Sequence, residues 1–397
     1  MSSRRQFLWT AFAATNRALA SDPLVSGVET AVLWPGRGKG PGWFHPRACR
    51  QPGGLFMTCQ TISGSDLFGP VHWSESRDAG RTWTGPALVP GLGRIKLPGG
   101  IEEGVCDVVP DFHAASGTLL AMGWNVYYKD NRLTQPNEER WPVYSVRGRD
   151  GQWGPRRKLE WNHPEATAIY GSNCSQRVML DDGRILLPLT FGRYGRMDRA
   201  VTTALCSFDG ERVRILKSGT ILRLAEKRGL LEPSVVRYGG RFFMTIRAED
   251  ERGYVTASAD GLDWRPIQPW RWDDGEPITM SSTQQHWMPH SEALFLVYTR
   301  KAEGNVNVMR WRAPLWMARV DPDTMRLIRE TEQVVIPMSG DGVRQPDSVA
   351  RLGNFHTVAA SASESLVTVG ETLPSGGFSG DTLIARVRWS QPNRVSP

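Results

Sequence analysis

No CxxC pair occurs in this chain, and no cysteine pairs with a histidine at a metal-ligand spacing. The five cysteines (Cys49, Cys59, Cys106, Cys174, Cys206) are odd in number. Neither a disulfide framework nor a zinc site is expected; buried free thiols are. Helical periodicity is hard to find beyond residue 25. No apolar run approaches the ~20 residues that would cross a bilayer. The net charge of +7 is scattered, with no block of one sign, which argues against nucleic acid as a partner. No cofactor motif is present, and a monomer is expected. Apolar residues at 40% and charged residues at 22% are ordinary for a globular chain and exclude disorder.

The first twenty residues read as an address rather than as structure. They carry Ser3, Arg4, Arg5, Gln6, Phe7 and Leu8, then an apolar stretch interrupted by Asn16 and Arg17, then Ala18-Leu19-Ala20. Paired arginines, a moderate apolar run and a small-residue cleavage site match a bacterial twin-arginine secretory signal. The competing interpretation is a basic cytosolic N-terminus. The first predicts a signal at 1–20, a single domain at 21–397 and a periplasmic or secreted protein. Removing the segment takes three arginines and lowers the net charge from +7 to +4.

Beyond that segment the chain alternates short apolar runs with turn clusters. GLFMTC at 54–59, TLLAM at 118–122, RILLPL at 184–189, RFFMTI at 241–246 and ALFLVY at 293–298 are each four to six residues long. Most follow Gly-Gly, Asp-Gly or Ser-Gly, the dipeptides that reverse β-hairpins. They recur about every 50–65 residues, and a strand-rich unit of that period points to propeller blades of four strands. About 370 residues at ~60 per blade predicts six. The 41 glycines and 27 prolines suit so many turns.

A second pattern repeats. SRDAGRTW at 76–83 and SADGLDW at 258–264 share a serine, an aspartate two residues on, a glycine and a tryptophan. Here the aspartate would accept hydrogen bonds from turn N–H groups, the glycine would take positive φ and the tryptophan would pack between sheets. SFDG at 207–210 and RDGQW at 149–153 are worn copies. The 16 tryptophans have two competing uses: one structural ring per repeat, or platforms for sugar rings, for which Trp43, Trp73, Trp124 and Trp287 stand near strand starts.

The two good copies are Asp-boxes, and nearly the whole chain after the signal resembles the sialidase (neuraminidase) superfamily. That resemblance implies an all-β, six-bladed β-propeller of sialidase type. It implies an acidic sugar bound at the axis by three arginines, a tyrosine nucleophile helped by a glutamate, and an aspartate acid/base. Residue by residue, LEPSVV at 231–236 and RFFMTIR at 241–247 put Glu232 and Arg247 in the places of the glutamate and one arginine. RWRAPL at 310–315 follows the strand-like LVYTR at 296–300 and offers Arg312, with Arg310 on the same strand face as the alternative. SGSD at 63–66 offers Asp66 as the proton donor.

Two departures stand out. Where the family begins a strand with its first arginine, FHPRA at 44–48 has His45 in that place and Arg47 two residues on. The nucleophilic tyrosine belongs in the last blade, yet the eight tyrosines end at Tyr298, and GVRQPD at 342–347 holds no phenol.

Three chemistries therefore compete. An exo-acting hydrolase would use Asp66 as acid and Glu232 as base on water, with Asp347 a further candidate for either role. Arg47, Arg247 and Arg312 would clamp a sialic or uronic carboxylate. A lyase on uronic-acid glycans would use His45 with Arg47 or Arg247, or else His286 or His290. A glycan-binding propeller would do no chemistry. Asn173 and Gln176 are further sugar-contact candidates. Glu102, Glu103 and Asp107 are expected at a solvated rim. His286 and His290 lie four apart, which would suit a metal only on a helix, so no metal is expected.

Overall fold

The computed structural model describes residues 22–38, 42–134, 139–193, 196 and 198–395. The predicted signal at 1–20 lies outside them. The described residues form six antiparallel sheets built around four strands each, linked by turns and short 3-10 segments and without an α-helix. The six sheets are the blades of a β-propeller.

Each blade starts at the axis. The inner strands are Trp43–Gln51, Ile101–His113, Leu231–Tyr238, His286–His290 and Arg351–Ala359 in blades one, two, four, five and six. Blade three opens with the shorter pieces Ile169–Gly171 and Val178–Met179. The ring closes through the N-terminal strand Val25–Trp34, which pairs with Thr382–Trp389 and becomes the outermost strand of blade six. The first described strand thereby locks the last blade to the first.

The apolar runs seen in the sequence are the second strands of their blades: Gly54–Gly64, Thr118–Lys129, Ile185–Gly192, Arg241–Arg247 and Ala293–Tyr298. They are nearly continuous because each sheet is buried on both faces. In blade five, Leu294, Leu296 and Tyr298 join the cluster facing blade four, while Phe295 and Val297 join the one facing blade six. Six such clusters fill the six gaps between neighbouring blades. This interblade burial is the main stabilising term of the fold.

The serine–aspartate turns lie between third and fourth strands, at the end remote from the inner-strand starts. Asp78 Oδ1 accepts from the N–H of Arg81 at 3.0 Å and of Thr82 at 2.8 Å, and Ser76 Oγ accepts from Gly80 N–H at 2.8 Å. Asp260 and Ser258 repeat the arrangement. Gly80 has φ +77°, and a Cβ there would lie 2.7 Å from Leu366 Cδ1 of blade six. A side chain there would be strained by the positive φ and would push on the neighbouring blade.

Most of the tryptophan surplus serves these seams. Trp264 Nε1 reaches Thr203 Oγ1 of blade three at 2.8 Å. Trp287, offered above as a sugar platform, is fully buried and donates to Ser234 O at 2.9 Å. Trp73 stacks on Phe56. All five cysteines are buried and free.

Candidate functional site

Near the start of their inner strands four blades carry the same irregularity. Two residues oppose one on the second strand, a β-bulge, between Phe44 and Arg47, Cys106 and Val109, Leu231 and Ser234, and Gly353 and His356. The first residue of each pair is left-handed: His45 (φ 52°), Asp107 (φ 57°), Glu232 (φ 46°) and Asn354 (φ 59°). Cys174 (φ 47°) takes the corresponding place in blade three. A left-handed conformation costs a non-glycine residue about 1–3 kcal/mol, and bulges re-aim side chains. Repeated around one ring, it turns His45, Asp107, Glu232 and Asn354 toward the axis.

Further groups come from the hairpins between second and third strands, which share that end of the molecule. Asp66 (φ 55°) sits in the turn between Gly54–Gly64 and Leu67–Ser76. Its backbone carbonyl accepts from Tyr128 Oη at 2.9 Å, and that hydroxyl accepts from Phe68 N–H at 3.0 Å. Arg247 ends the second strand of blade four, and Glu249 follows it. Arg310 and Arg312 lie in blade five. They are not on a strand as expected: a 3-10 turn, Met309–Trp311, carries Arg310 at φ 54°, and Arg312 follows it. Arg312 lies over Gly353, where any Cβ would come within 2.8 Å of its Nη1.

The charges pair unequally. Arg247 Nη1 donates to Glu232 Oε1 at 2.5 Å, and its Nη2 lies 3.6 Å from Glu249 Oε1. Arg228 grips Glu249 with two nitrogens, Nε at 2.8 Å and Nη2. Arg47 Nη2 donates to Asp107 Oδ1 at 2.7 Å. Among the described residues Arg199, Arg310 and Arg312 form no ion pair. Burial, then the like charges of Arg310 and Arg247, bring Arg312 down to about 10. Burial and the neighbouring Arg228 and Arg247 do the same to Arg199, also to about 10.

The carboxyls are driven apart. Asp66 is solvent-accessible, yet the protein mass around the mouth of the axis desolvates its carboxyl. Together with the charge of Asp107, this raises it above the ordinary carboxyl range against the pull of Arg312 and Arg310. Burial acts in the same direction on Asp107 but is outweighed by its partners, the guanidinium of Arg47 hydrogen-bonded to it among them, so Asp107 is held low. Two carboxyls with separated proton affinities suit an acid and an ionised neighbour.

The structure thus brings Asp66, Glu232, Arg247, Arg310, Arg312 and His45 to one end of the axis, and sets others apart. Asp347 is 84% exposed in the turn Pro346–Ser348, 3.9 Å from Arg351, and takes no part in the cluster. Arg47 points to the axis but has no exposed surface, so it holds Asp107 rather than a ligand. Gln176 is tied up structurally, bonding Trp287 O at 2.9 Å and Thr357 Oγ1 at 3.0 Å. Asn173 is buried, 5% exposed. His286 is sealed against His356, and His290 packs on Trp389 beside Gln391, after the strand has left the site.

Sequence reasoning missed Asp107, expected at a rim, and also Arg199, Arg228, Glu249 and Asn354. Aligning the inner-strand starts at the blade period would have found Asp107 and Asn354. In the last blade, where the resemblance places a phenol, the inner strand offers Asn354. Tyr298 is buried with its hydroxyl on Glu332 Oε1 at 2.6 Å. Among the described residues no group of His, Cys, Asp or Glu is arranged to hold a metal ion, and no helix is long and apolar enough to cross a membrane.

In sequence, no family model and no curated protein matches the chain. In structure it is similar to a protein of unknown function from Dyadobacter fermentans (TM-score 0.62, 16% identity, 92% of this chain and 100% of that one). It is also similar to Trypanosoma rangeli sialidase in complex with sialic acid (TM-score 0.63, 13% identity, 92% of this chain). The match covers 59% of that sialidase, so the chain spans about three fifths of its length. The intramolecular trans-sialidase from Ruminococcus gnavus, in complex with oseltamivir carboxylate, matches with TM-score 0.61 at 11% identity over 96% of this chain and 99% of that one. At these identities the likeness shows the fold: a six-bladed propeller of sialidase type.

Proposed function

We propose that this sialidase-fold protein is an exo-acting glycoside hydrolase that removes a terminal acidic sugar, sialic or uronic, by direct attack of water. The observation that carries the reading is the cluster of Arg310 and Arg312, without an ion pair among the described residues, beside Arg247, Asp66 and Glu232, at the end of the axis where the inner strands begin. Guanidinium groups without a carboxylate partner call for an anionic guest, which they bind bidentately.

In this reading the sugar carboxylate lies against Arg312, Arg247 and Arg310. Asp66, whose carboxyl is raised by desolvation and by the charge of Asp107, acts as the acid and gives its proton to the glycosidic oxygen as that bond breaks. Glu232 has Oε1 held by Arg247, and its Oε2 is buried without a partner among the described residues. Its carboxylate takes a proton from water as the water oxygen bonds to the anomeric carbon. Asp107 stays ionised and keeps Asp66 a reluctant donor. With Asn354 in place of a phenol no covalent tyrosyl intermediate forms, so the anomeric configuration inverts. Such a pair of carboxyls works at a separation of about 6.5–9.5 Å. Residues 1–20, read as an export signal, would deliver the enzyme to the periplasm or beyond.

The test is product analysis with sialosides and uronic-acid oligosaccharides side by side. Free acidic monosaccharide from the non-reducing end supports the proposal. An unsaturated uronate product would assign a lyase instead, and binding without turnover a lectin.

A further inference from the structure

We propose that the site takes a doubly anionic glycan: beside the carboxylate met by Arg312, a second oxyanion docks against Arg199. This rests on the reading of the site as one for an acidic sugar. The charge balance carries it. Six guanidinium groups (Arg47, Arg199, Arg228, Arg247, Arg310, Arg312) gather with four carboxyls (Asp66, Asp107, Glu232, Glu249). Asp107, Glu232 and Glu249 are engaged by Arg47, Arg247 and Arg228. Asp66, as acid, is uncharged when substrate binds. Three guanidinium groups then remain without a counter-charge, and one sugar carboxylate leaves a surplus of about two.

Arg199 is the one among them carried by blade three, just before Ala200–Phe208, whereas Arg310 and Arg312 belong to blade five. Its backbone N–H donates to Arg228 O at 2.8 Å, and its carbonyl accepts from Leu230 N–H at 3.0 Å. Two arginine stems thus rise from paired backbone segments, and only Arg228 has its carboxylate, Glu249. Arg199 Nε is buried without a partner among the described residues. Its electrostatic neighbours are Arg228, Arg247, Glu232 and Glu249, whereas Arg310 and Arg312 also act on Asp66. The second anion therefore lies toward blades three and four, where Arg199 pairs with the segment of Arg228. A sulfate ester on the terminal sugar and the carboxylate of a neighbouring uronate share the required chemistry.

The test uses uncleavable thioglycosides of three kinds: a terminal uronate on a neutral sugar, the same probe bearing one sulfate ester, and a diuronate. Calorimetry is expected to show at least one doubly charged probe binding about tenfold or more tighter than the singly charged one at low salt. The two doubly charged probes distinguish ester from neighbouring carboxylate. Arg199→Gln is expected to collapse that ratio toward one, and Arg199→Lys to restore it in part. A ratio of one in the unaltered protein, or a ratio untouched by Arg199→Gln, overturns the proposal. Should that variant not fold, the salt dependence of the unaltered protein decides: affinity for the doubly charged probe falls more steeply with ionic strength, and equal slopes overturn the idea. A protein that grips these probes yet never cuts the natural glycosides loses the hydrolase reading and keeps this one. One that cuts singly and doubly charged glycosides alike does the reverse.

Discussion

Asn354 and His45 meet across the seam where the last blade closes on the first, with Nδ2 of the asparagine 2.5 Å from Nε2 of the histidine. Gln284 fixes the sense of that bond. In the amide orientation that its neighbours require, the Gln284 oxygen accepts the backbone N–H groups of Asn354 and Phe355 at 2.9 Å each and its nitrogen lies 3.0 Å from Asn354 Oδ1. Asn354 Oδ1 is then an acceptor, its Nδ2 faces the ring, and His45 Nε2 must be unprotonated. Burial, helped by Arg47, brings His45 down to about 3 against the pull of Asp107, so a neutral imidazole is consistent.

Asn354→Ala removes the donor and frees the ring. The expected outcome is a fall of about 3–10-fold in kcat/KM, the worth of one hydrogen bond, with little change in Tm. Steady-state kinetics beside thermal melts check it. A large loss of Tm with unchanged kinetics would make the pair purely structural.

Asp66 must carry a proton to act as acid, and its carboxyl is raised. Activity is therefore expected to persist above the ordinary carboxyl range and to fall as pH rises through the Asp66 value. Asp66→Asn is expected to lower kcat/KM by about 10²–10⁴-fold and to remove that alkaline limb. A pH–rate profile of both proteins checks this. Glycosides with good leaving groups, which need less protonation, are expected to lose less.

Acid is expected to destabilise the fold through its sealed histidines. Burial is the first cause for His45, His286 and His356, and it brings His45 and His356 to about 3. Below 6.5 the unfolded chain takes up protons that the folded state refuses. Stability is full above 6.5 and declines as pH falls toward about 3, by about 1.4 kcal/mol per pH unit for each histidine. Urea midpoints across that window are expected to drop steeply, and less steeply in His356→Gln. A flat profile would contradict the assignment.

Gly80→Ala places a methyl group against Leu366 at φ +77°. It is expected to cost about 1–3 kcal/mol in unfolding free energy while leaving kcat unchanged, because the turn lies at the far end of its blade. Chemical denaturation with an activity assay tests both halves.

How much of this could be read beforehand follows from the physics of each element. The second strands were legible because burial on both faces makes them uniformly apolar, and the turns because the Ser-Asp-Gly spacing is local. Glu232 and Arg247 were legible because they bracket one hairpin. Asp107 was not: in CDVV it reads as an edge interrupting an apolar strand, and only a left-handed bulge turns it inward. Arg310 and Arg312 read as a strand because alternation is the default beside LVYTR, and the turn at Met309–Trp311 leaves no such mark. Asp347 looked axial only through its position in the chain. Arg199, Arg228 and Glu249 come from three separate connections, and nothing local announces their convergence.

In the proposed reaction water, deprotonated by Glu232, attacks the anomeric carbon while Asp66 donates, and the configuration of the first-formed product reports that most directly. Proton NMR of an acidic glycoside during its first turnovers is predicted to show the sugar released with inverted configuration, by the unaltered protein and not by Glu232→Gln. A retained configuration, or undiminished release by Glu232→Gln, would contradict it.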